Sequence, residues 1–417
     1  SNGAHGHESM SGVFDGIRVL DLTRVVAGPL CTQILADMGA TVYKIEKPGD
    51  GDDTRRMGPF MADAGLTASS NESAVFLAYN RGKQSITVDI ATPEGNALVR
   101  DLAAKCDVVV ENYKAGTLQK YGLDYASLRS VRPDIIYCSV TGFGQDGPYA
   151  ARPAYDFILQ GMAGPMSTCG LPDGSPGAMP MRTSIPITDI VTGLYANIAV
   201  IGALYHRRET GVGQYIDAAM LDASVAFNGH LAVGYLATGK VPVRAGNTNP
   251  IANPADVYAS ADGFLIVACG NDGQFKSLCR VLGCTELLDD ARFATNAARC
   301  QAANRGPLRE RLEALLAKEN SAHWASVLEK AGVPSGPINN MAQVFADPQI
   351  RHRGLEIELP HASGVPVKLV RSPINYSETP IEHKAPPLLG QHSVQVLMDE
   401  LGLTQAQIDG LRERKII

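Results

Sequence analysis

Two periodicities alternate along the first part of the chain. Residues 16–23, GIRVLDLT, form a short apolar run rich in β-branched side chains. The next segment, AGPLCTQILADMGA (27–40), carries helical spacing at Leu30, Ile34, Leu35 and Met38, and TVYKIEKPG (41–49) returns to a strand that stops at Pro-Gly. A period of two, then 3.6, then two again is the signature of a β-α-β unit and hence of a parallel sheet. SITVDI (85–90), TPEGNALVRDLAAKC (92–106) and DVVVEN (107–112) repeat it, with Thr92 placed as N-cap and Pro93 at the first helical position. PDIIYCSVTGFG (133–144) adds a further strand ending in a glycine loop. The first ~150 residues therefore read as a doubly wound α/β fold.

Further on the character changes. Residues 142–186 are rich in Gly and Pro and read as an irregular loop. A buried helix follows at 189–208, then a strand-to-helix join in GQYIDAAML (213–221). DVYASADGFLIVACG (256–270) reads as a hairpin turning at Asp262-Gly263. Helical segments fill 272–331, so 256–331 reads as a separate, smaller α/β unit, and VPSGPI (333–338) reads as a Pro-Gly hinge.

Composition removes several function classes. With 45 % hydrophobic and 19 % charged residues the chain is globular, and its net charge of −6 disfavours non-specific nucleic-acid binding. Eight scattered cysteines without a C-x-x-C fit reduced thiols and a cytoplasmic setting. The first ten residues lack the apolar core of a signal peptide and read as a frayed end, with His5 and His7 as remote metal candidates. The most apolar run, Ile190 to Tyr205, falls short of the roughly 20 residues that span a bilayer and reads as a core helix. The turn after the first strand, TRVVAGP, has no G-x-G-x-x-G, and the chain has no P-loop, H-E-x-x-H or G-x-S-x-G motif. The expectation is a protein with no metal, no nucleotide cofactor, no nucleic-acid partner and no membrane partner.

One carboxylate stands out. Asp189 lies near the start of the apolar segment SIPITDIVTGLYANIAVIGALYHRRETG (184–211). Two readings compete on the residues alone: it caps a buried helix, or it does the chemistry.

Eight segments in order narrow the choice: GIRVLDLTRVVAGPLCTQILADMGATVYKIEKPGDGDDTR, GKQSITVDIATPEG, DVVVENYKAGTLQKYGLDYASL, PDIIYCSVTGFGQDGPYAARPAYD, ITDIVTGLYA, GVGQYIDAAMLDA, VPSGPINNMAQVFADPQI and APPLLGQH. Together, over roughly residues 13 to 417, the chain resembles the class III CoA-transferases, the family of formyl-CoA transferase and the crotonobetainyl/carnitine enzymes. The resemblance implies a Rossmann-like large domain whose parallel sheet is built from both chain ends, a smaller α/β domain, and two subunits interlocked as a homodimer. It divides the chain into 13–225 (large domain), 226–335 (small domain) and 336–417 (a return segment completing the large domain). It implies acyl-CoA and small carboxylates as substrates.

By the same resemblance Asp189 is the nucleophile. It attacks the donor thioester and carries the acyl group and CoA through aspartyl anhydride and aspartyl-CoA thioester intermediates. An aspartate with pKa near ~4 is ionised at pH 7 and needs no general base, and a helix N-terminus favours its anion. Val26 and Ala27, in the AGP turn, match positions lining the CoA pocket, although the formyl-CoA enzymes carry Gln in place of Val26. Lys47 and Lys120 match basic positions near the CoA phosphates, against the reading of solvated surface lysines. Val88, Asp89, Ile90 and Ala91, with Asn112, Tyr113 and Lys114, match strand ends that hold adenosine and pantetheine. Arg55 and Arg56 are weaker candidates, set against an exposed loop.

Tyr155 and Asp156 stand where the family's racemase branch has His then Asp. A tyrosine of pKa ~10 is a poor base for an α-proton, which favours transfer over racemisation. The segment RAGNTNPIANPADVY (244–258) lacks the glycine run of the formyl-CoA enzymes and points to branches that use dicarboxylates such as oxalate, succinate or glutarate derivatives. A 2-methylacyl-CoA racemase and a catalytically silent CoA-binding protein are the alternatives.

Overall fold

The computed structural model describes residues 12–65 and 70–417; His5 and His7 lie outside them. It divides into two units, one of residues up to Pro165, Arg182–Lys240 and Gln349–Ile417, the other of Met166–Met181 and Val241–Pro348. The sequence reading set the small domain at 226–335. The observed division falls later and adds 166–181.

The first unit is organised by six strands: β1 (Arg18–Leu22), β2 (Thr41–Glu46), β3 (Gln84–Thr87), β4 (Val108–Glu111), β5 (Ile136–Thr141) and β6 (Tyr215–Ala219). All pair in parallel, in the order β3-β2-β1-β4-β5-β6. Its first five connections run through α1 (Ala27–Asp37), α2 (Ala74–Tyr79), α3 (Pro93–Ala103), α4 (Tyr125–Val131), α5 (Asp156–Met162) and α6 (Ile187–Thr210); α7 (Met220–Phe227) and α8 (His230–Thr238) follow β6. Helix α3 begins as expected: the Thr92 side chain accepts from Gly95 N, and Pro93 opens the helix.

Strand side chains alternate between faces. Val19, Val42, Val108, Val110 and Cys138 pack with Cys31 and Leu35 of α1 and Ala196 and Val200 of α6. Leu20, Tyr43, Ile86, Val109 and Tyr137 turn to the opposite face with Val99 and Leu102 of α3 and Leu128 of α4. Burial on both faces is why these strands read as nearly continuous apolar runs. The strand order reverses between β1 and β4, and in such sheets ligands sit outside the carboxyl ends of the strands at that reversal.

Four expectations are corrected here. The parallel sheet is not built from both chain ends, since all six strands come from residues 18–219. The return segment supplies an antiparallel pair, described below, and helices. The loop expected over 142–186 contains α5, which at seven residues is too short to show a helical period among the glycines and prolines. Helix α6 runs for 24 residues and is long and apolar enough to cross a membrane, rather than too short. It is also not fully buried: one side packs on α1, β5 and β6, while Leu194, Tyr195, Ile198 and Tyr205 are exposed.

The second unit holds an antiparallel sheet of β7 (Ala255–Ala259), β8 (Phe264–Ala268) and β9 (Ser335–Pro337). The hairpin at Asp262-Gly263 is present, closed by Ser260 N donating to Gly263 O. The expected hinge at 333–338 is instead the third strand. Pro337 is tolerated because β9 lies at the sheet edge. Helices α9 (Asp272–Leu282), α10 (Asn296–Arg299), α11 (Ala302–Leu316), α12 (Ser321–Lys330) and α13 (Met341–Ala346) complete the unit, with Phe275, Leu278, Leu312, Trp324 and Leu328 in its core.

The chain then passes through α14 (Pro348–His352) into the pair β10 (Glu356–Leu359) and β11 (Val367–Val370), and ends in α15 (Ser393–Leu401) and α16 (Gln405–Glu413). This return is stitched to the edge strand β3: Ser85 N donates to His392 Nδ1, Thr87 N to Ser393 Oγ, and Asp89 N to Ile416 O.

Candidate active site

The carboxyl ends of the strands carry two adjoining cavities in the first unit. One, of about 280 Å³, is lined by Arg24–Ala27, Asn112–Ala115, Thr141–Phe143, Arg152–Asp156 and Asp189. The other, of about 380 Å³, is lined by Glu46, Lys47, Val88–Ala91, Tyr113 and Tyr121. Arg24, Asp53 and Tyr113 belong to both, so the two form one elongated groove. A larger cleft of about 430 Å³ lies at the opposite strand ends, around Thr41, Gln84 and His392, and contains none of the nominated residues. The rule for parallel sheets favours the groove at the carboxyl ends.

Helix α6 brings Asp189 to this groove. Gly193 is what lets it come close, because a Cβ there would lie 2.6 Å from the Ala27 carbonyl oxygen. The Asn197 amide then donates to Cys31 O, pinning α6 to α1. Asp189 does not cap its helix. The N-cap position is Pro186, and the first-turn amides are taken by another residue. Asp156 Oδ1 accepts from Thr188 N at 2.7 Å, Thr188 Oγ1 at 2.5 Å and Asp189 N at 3.1 Å. Its Oδ2 accepts from the Gln160 amide at 2.8 Å.

That arrangement corrects the expectation of an ordinary, helix-stabilised carboxylate at 189. Burial pushes the Asp189 carboxyl up to about 7, and the neighbouring Asp156 charge adds to the rise. The helix amides that were to favour its anion serve Asp156 instead. No described side chain donates a hydrogen bond to the Asp189 carboxylate, so its lone pairs face the cavity.

The other nominated residues fall as follows. Val26 is the N-cap residue of α1 and Ala27 opens it; both are buried and line the Asp189 cavity. Asn112 exchanges two bonds with the Arg24 backbone, accepting from its N–H and donating to its carbonyl. Tyr113 lies under the Arg24 guanidinium, 5.1 Å from ring centroid to Cζ. Lys114 is exposed at the cavity edge. Val88 to Ala91 form a turn closed by Asp89 Oδ1 accepting from Ala91 N. Lys47 is exposed, 3.7 Å from Asp50, and lines the second cavity. Lys120 lies outside both cavity walls and is exposed, although its neighbour Tyr121 lines one. Tyr155 is 70 % exposed at the start of α5.

Arg55 is neither exposed nor free for a ligand. It forks onto Glu46 and stacks 3.6 Å over Phe76 in a buried charge cluster. Arg56 is exposed and holds Asp50 O and Asp53.

The sequence reading missed Tyr79, at the end of α2. Burial raises its hydroxyl pKa, and the Asp189 and Asp156 charges add to that rise, which places it near both carboxylates. It also missed Arg24 and Arg152, which join Lys114 as cations on the wall of the Asp189 cavity. Their only signal was a position just beyond a strand or inside a glycine-proline loop.

The CoA-transferase family III profile matches residues 14–393. The chain belongs to CoA-transferase family III. It is 47 % identical over 385 residues to a succinate–glutarate CoA-transferase of Agrobacterium fabrum, covering 92 % of this chain and 94 % of that protein. It is 41 % identical to an acetyl-CoA:oxalate CoA-transferase of Acetobacter aceti, covering 83 % of this chain and 86 % of the relative. A crystal structure of a CAIB/BAIF family protein from Brucella suis superposes with a TM-score of 0.84 at 46 % identity, over 93 % of this chain and 98 % of that one. This family III member is thus an enzyme of the CoA-transferase class, and its high-identity relatives act on dicarboxylic acids.

Proposed function

We propose that this enzyme moves CoA from an acyl-CoA donor to a dicarboxylate acceptor, with the Asp189 carboxylate as nucleophile. The observation that carries the reading is the placement of Asp189: a half-buried carboxylate with no hydrogen-bond donor among the described side chains, facing a groove at the strand-order reversal. An Asp189 oxygen attacks the donor thioester carbonyl, the C–S bond breaks, and CoA leaves as thiolate with a mixed anhydride left on the enzyme. The thiolate attacks the aspartyl carbonyl, giving the aspartyl-CoA thioester and releasing the donor's carboxylate. The acceptor carboxylate attacks that thioester and expels CoA thiolate, which then attacks the acceptor's acyl carbon and restores Asp189. Every step exchanges one activated acyl bond for another, so no external energy source is required. Partial desolvation makes the Asp189 anion more reactive once ionised.

The elongated groove suits CoA. Val26, Ala27, Asn112, Tyr113 and Lys114 line the part assigned to pantetheine. Lys47 and Val88, Asp89, Ile90 and Ala91 line the part assigned to the nucleotide, with Lys120 reaching the phosphates from outside the wall. Tyr155 borders the acyl end, while Asp156 acts by ordering the first turn of α6. We also assign an interlocked homodimer. Leu194, Tyr195 and Ile198 of α6 and Phe227, Val233 and Leu236 of α7–α8 are exposed, and α8 has no buried residue although its sequence is largely apolar. Such a face needs a cover. The free cysteines fit a reducing compartment such as the cytoplasm.

The test is a mass-spectrometric screen of the purified protein with succinyl-, glutaryl-, oxalyl- and acetyl-CoA against the corresponding free acids. Transfer to at least one dicarboxylate is expected, with an adduct on the Asp189 peptide that is missing from Asp189→Ala. Wild-type turnover in Asp189→Ala refutes the nucleophile.

A further inference from the structure

The turn that joins β1 to α1 forms one wall of the Asp189 cavity, from Arg24 to Ala27. Within it Val25 has φ 75°. A β-branched residue in the left-handed region is a genuine outlier, because its side chain crowds the backbone there. Val25 holds this conformation against its own preference, so the partners of the turn must impose it.

Asn112 grips both backbone groups of Arg24, and the residues on either side of it are held by a buried pair. Asp52 is 1 % exposed and Lys44 is fully buried. Lys44 Nζ donates to Thr23 O at 3.0 Å and to Asp52 Oδ2 at 2.8 Å. Asp52 Oδ1 accepts from Val25 N at 3.2 Å, and from Thr54 N and Thr54 Oγ1 at 3.0 and 2.9 Å. Asp52 is itself fixed, since its own N–H donates to Glu46 Oε1 at 2.9 Å. The cation thus holds the carbonyl at the entry of the turn and the carboxylate holds the N–H at the strained residue. The two grips are locked together by their own ion pair. Directly after the turn, the Ala27 carbonyl abuts the helix that carries Asp189, at the point where Gly193 leaves no room for a Cβ. A shift of the turn is therefore passed to the nucleophile's helix.

We infer that Asp52, acting with Lys44, is a positioning residue for transfer: it clamps the Thr23–Val25 backbone so that Val26 and Ala27 keep their place against Asp189. The inference rests on the assignment of Asp189 as nucleophile. A clamp that served stability alone would have no reason to act through the conformation of Val25, and this is what separates the two roles.

The experiment is a cycle of Asp52→Asn and Val25→Gly, reading kcat, KM for the acyl-CoA donor, and melting temperature. Misplacement by about 1 Å near reacting atoms costs on the order of 100-fold, so Asp52→Asn is expected to lower kcat by roughly 10- to 100-fold with little change in KM. Glycine adopts a positive φ without a clamp, so in the Val25→Gly background the same change is expected to cost less than about 3-fold in kcat. The fall in melting temperature should be alike in both backgrounds, because the loss of the Lys44 partner is common to them. Equal kcat losses in the two backgrounds overturn the inference, as does an unchanged kcat in Asp52→Asn. Should Asp52→Asn not fold, Val25→Pro decides. It leaves the Asp52–Lys44 pair intact but can neither reach φ 75° nor donate to Asp52. A comparable kcat loss at normal melting temperature supports the clamp, and wild-type kcat refutes it. Asp189→Ala, assayed alongside, separates the two claims: retained turnover there removes the nucleophile but leaves the kcat cycle readable.

Discussion

Replacing Asp189 with asparagine should abolish transfer and make the protein more stable. The amide keeps the shape of the side chain but removes a charge from a half-buried site where no described side chain supplies a hydrogen-bond donor. The rise of the Asp189 carboxyl from 3.8 to about 7 measures that cost. At about 1.4 kcal/mol per tenfold change in proton affinity it corresponds to about 4 kcal/mol when the group is fully ionised, as an upper figure. The direction in pH follows from linkage. Because the folded-state pKa is raised, the native protein binds more protons than the unfolded chain between about pH 4 and 7, and wild-type stability falls as pH rises through that window. The amide side chain of the variant does not titrate. Its advantage should be absent below about pH 4, grow up to about pH 7, and stay constant above. Urea unfolding of both proteins at about pH 5 and 8 reads it directly. An Asp189→Asn protein no more stable than wild type at the higher pH, or an advantage equal at both, would show that the site does not strain its carboxylate.

The same group sets the activity profile: kcat/KM for the donor should rise about tenfold per pH unit below about 7 and level off above. Asp156→Asn, which removes the second cause of the raised value while keeping an acceptor for the α6 amides, should move that limb to lower pH; a midpoint that stays put or rises contradicts the electrostatic account. Gly193→Ala should destabilise the fold by about 1–3 kcal/mol through the clash with Ala27 O and also lower kcat. Unchanged stability and kcat in Gly193→Ala would dismiss the close approach. Finally, a chiral 2-methylacyl-CoA incubated in deuterated water should gain no α-deuterium, because Tyr155 offers no base on the α-carbon; exchange lost on Tyr155→Phe would revive racemisation.

What could be read from the residues alone was what depends on neighbours in sequence. Strands β1 to β5 and helices α1 and α3 were legible because buried parallel strands and amphipathic helices impose their periods directly. Helix α5 was not, since a short helix flanked by Gly and Pro has no period to count. The strand at 335–337 was hidden because its Pro-Gly content matches a hinge, and only pairing with β8 reveals it. At the site, Asp189 could be singled out as a charge in an apolar run, but its raised proton affinity could not. That depends on burial in the folded groove and then on the charge of Asp156, 33 residues away. Lys44, Asp52 and Arg55 look like solvated charges in sequence; their burial follows from pairing of Lys44 with Asp52 and of Arg55 with Glu46 and Glu72, which no local pattern encodes.

The stitching of β3 to the return segment has a consequence for the order in which the polypeptide is made. Ser85 and His392 lie 307 residues apart. At about 5–20 residues per second, a ribosome takes about 15–60 s to add the partner after the strand. Throughout that interval β3 is the unpaired margin of a growing sheet, with the Ser85 and Thr87 amides waiting for acceptors that do not yet exist. Open margins of this kind invite pairing with other chains. The Val88–Ala91 end of the groove also stays unfinished, because Asp89 N is satisfied only by Ile416. A nascent chain of this enzyme therefore cannot present a complete groove until α15, α16 and Ile416 have been made.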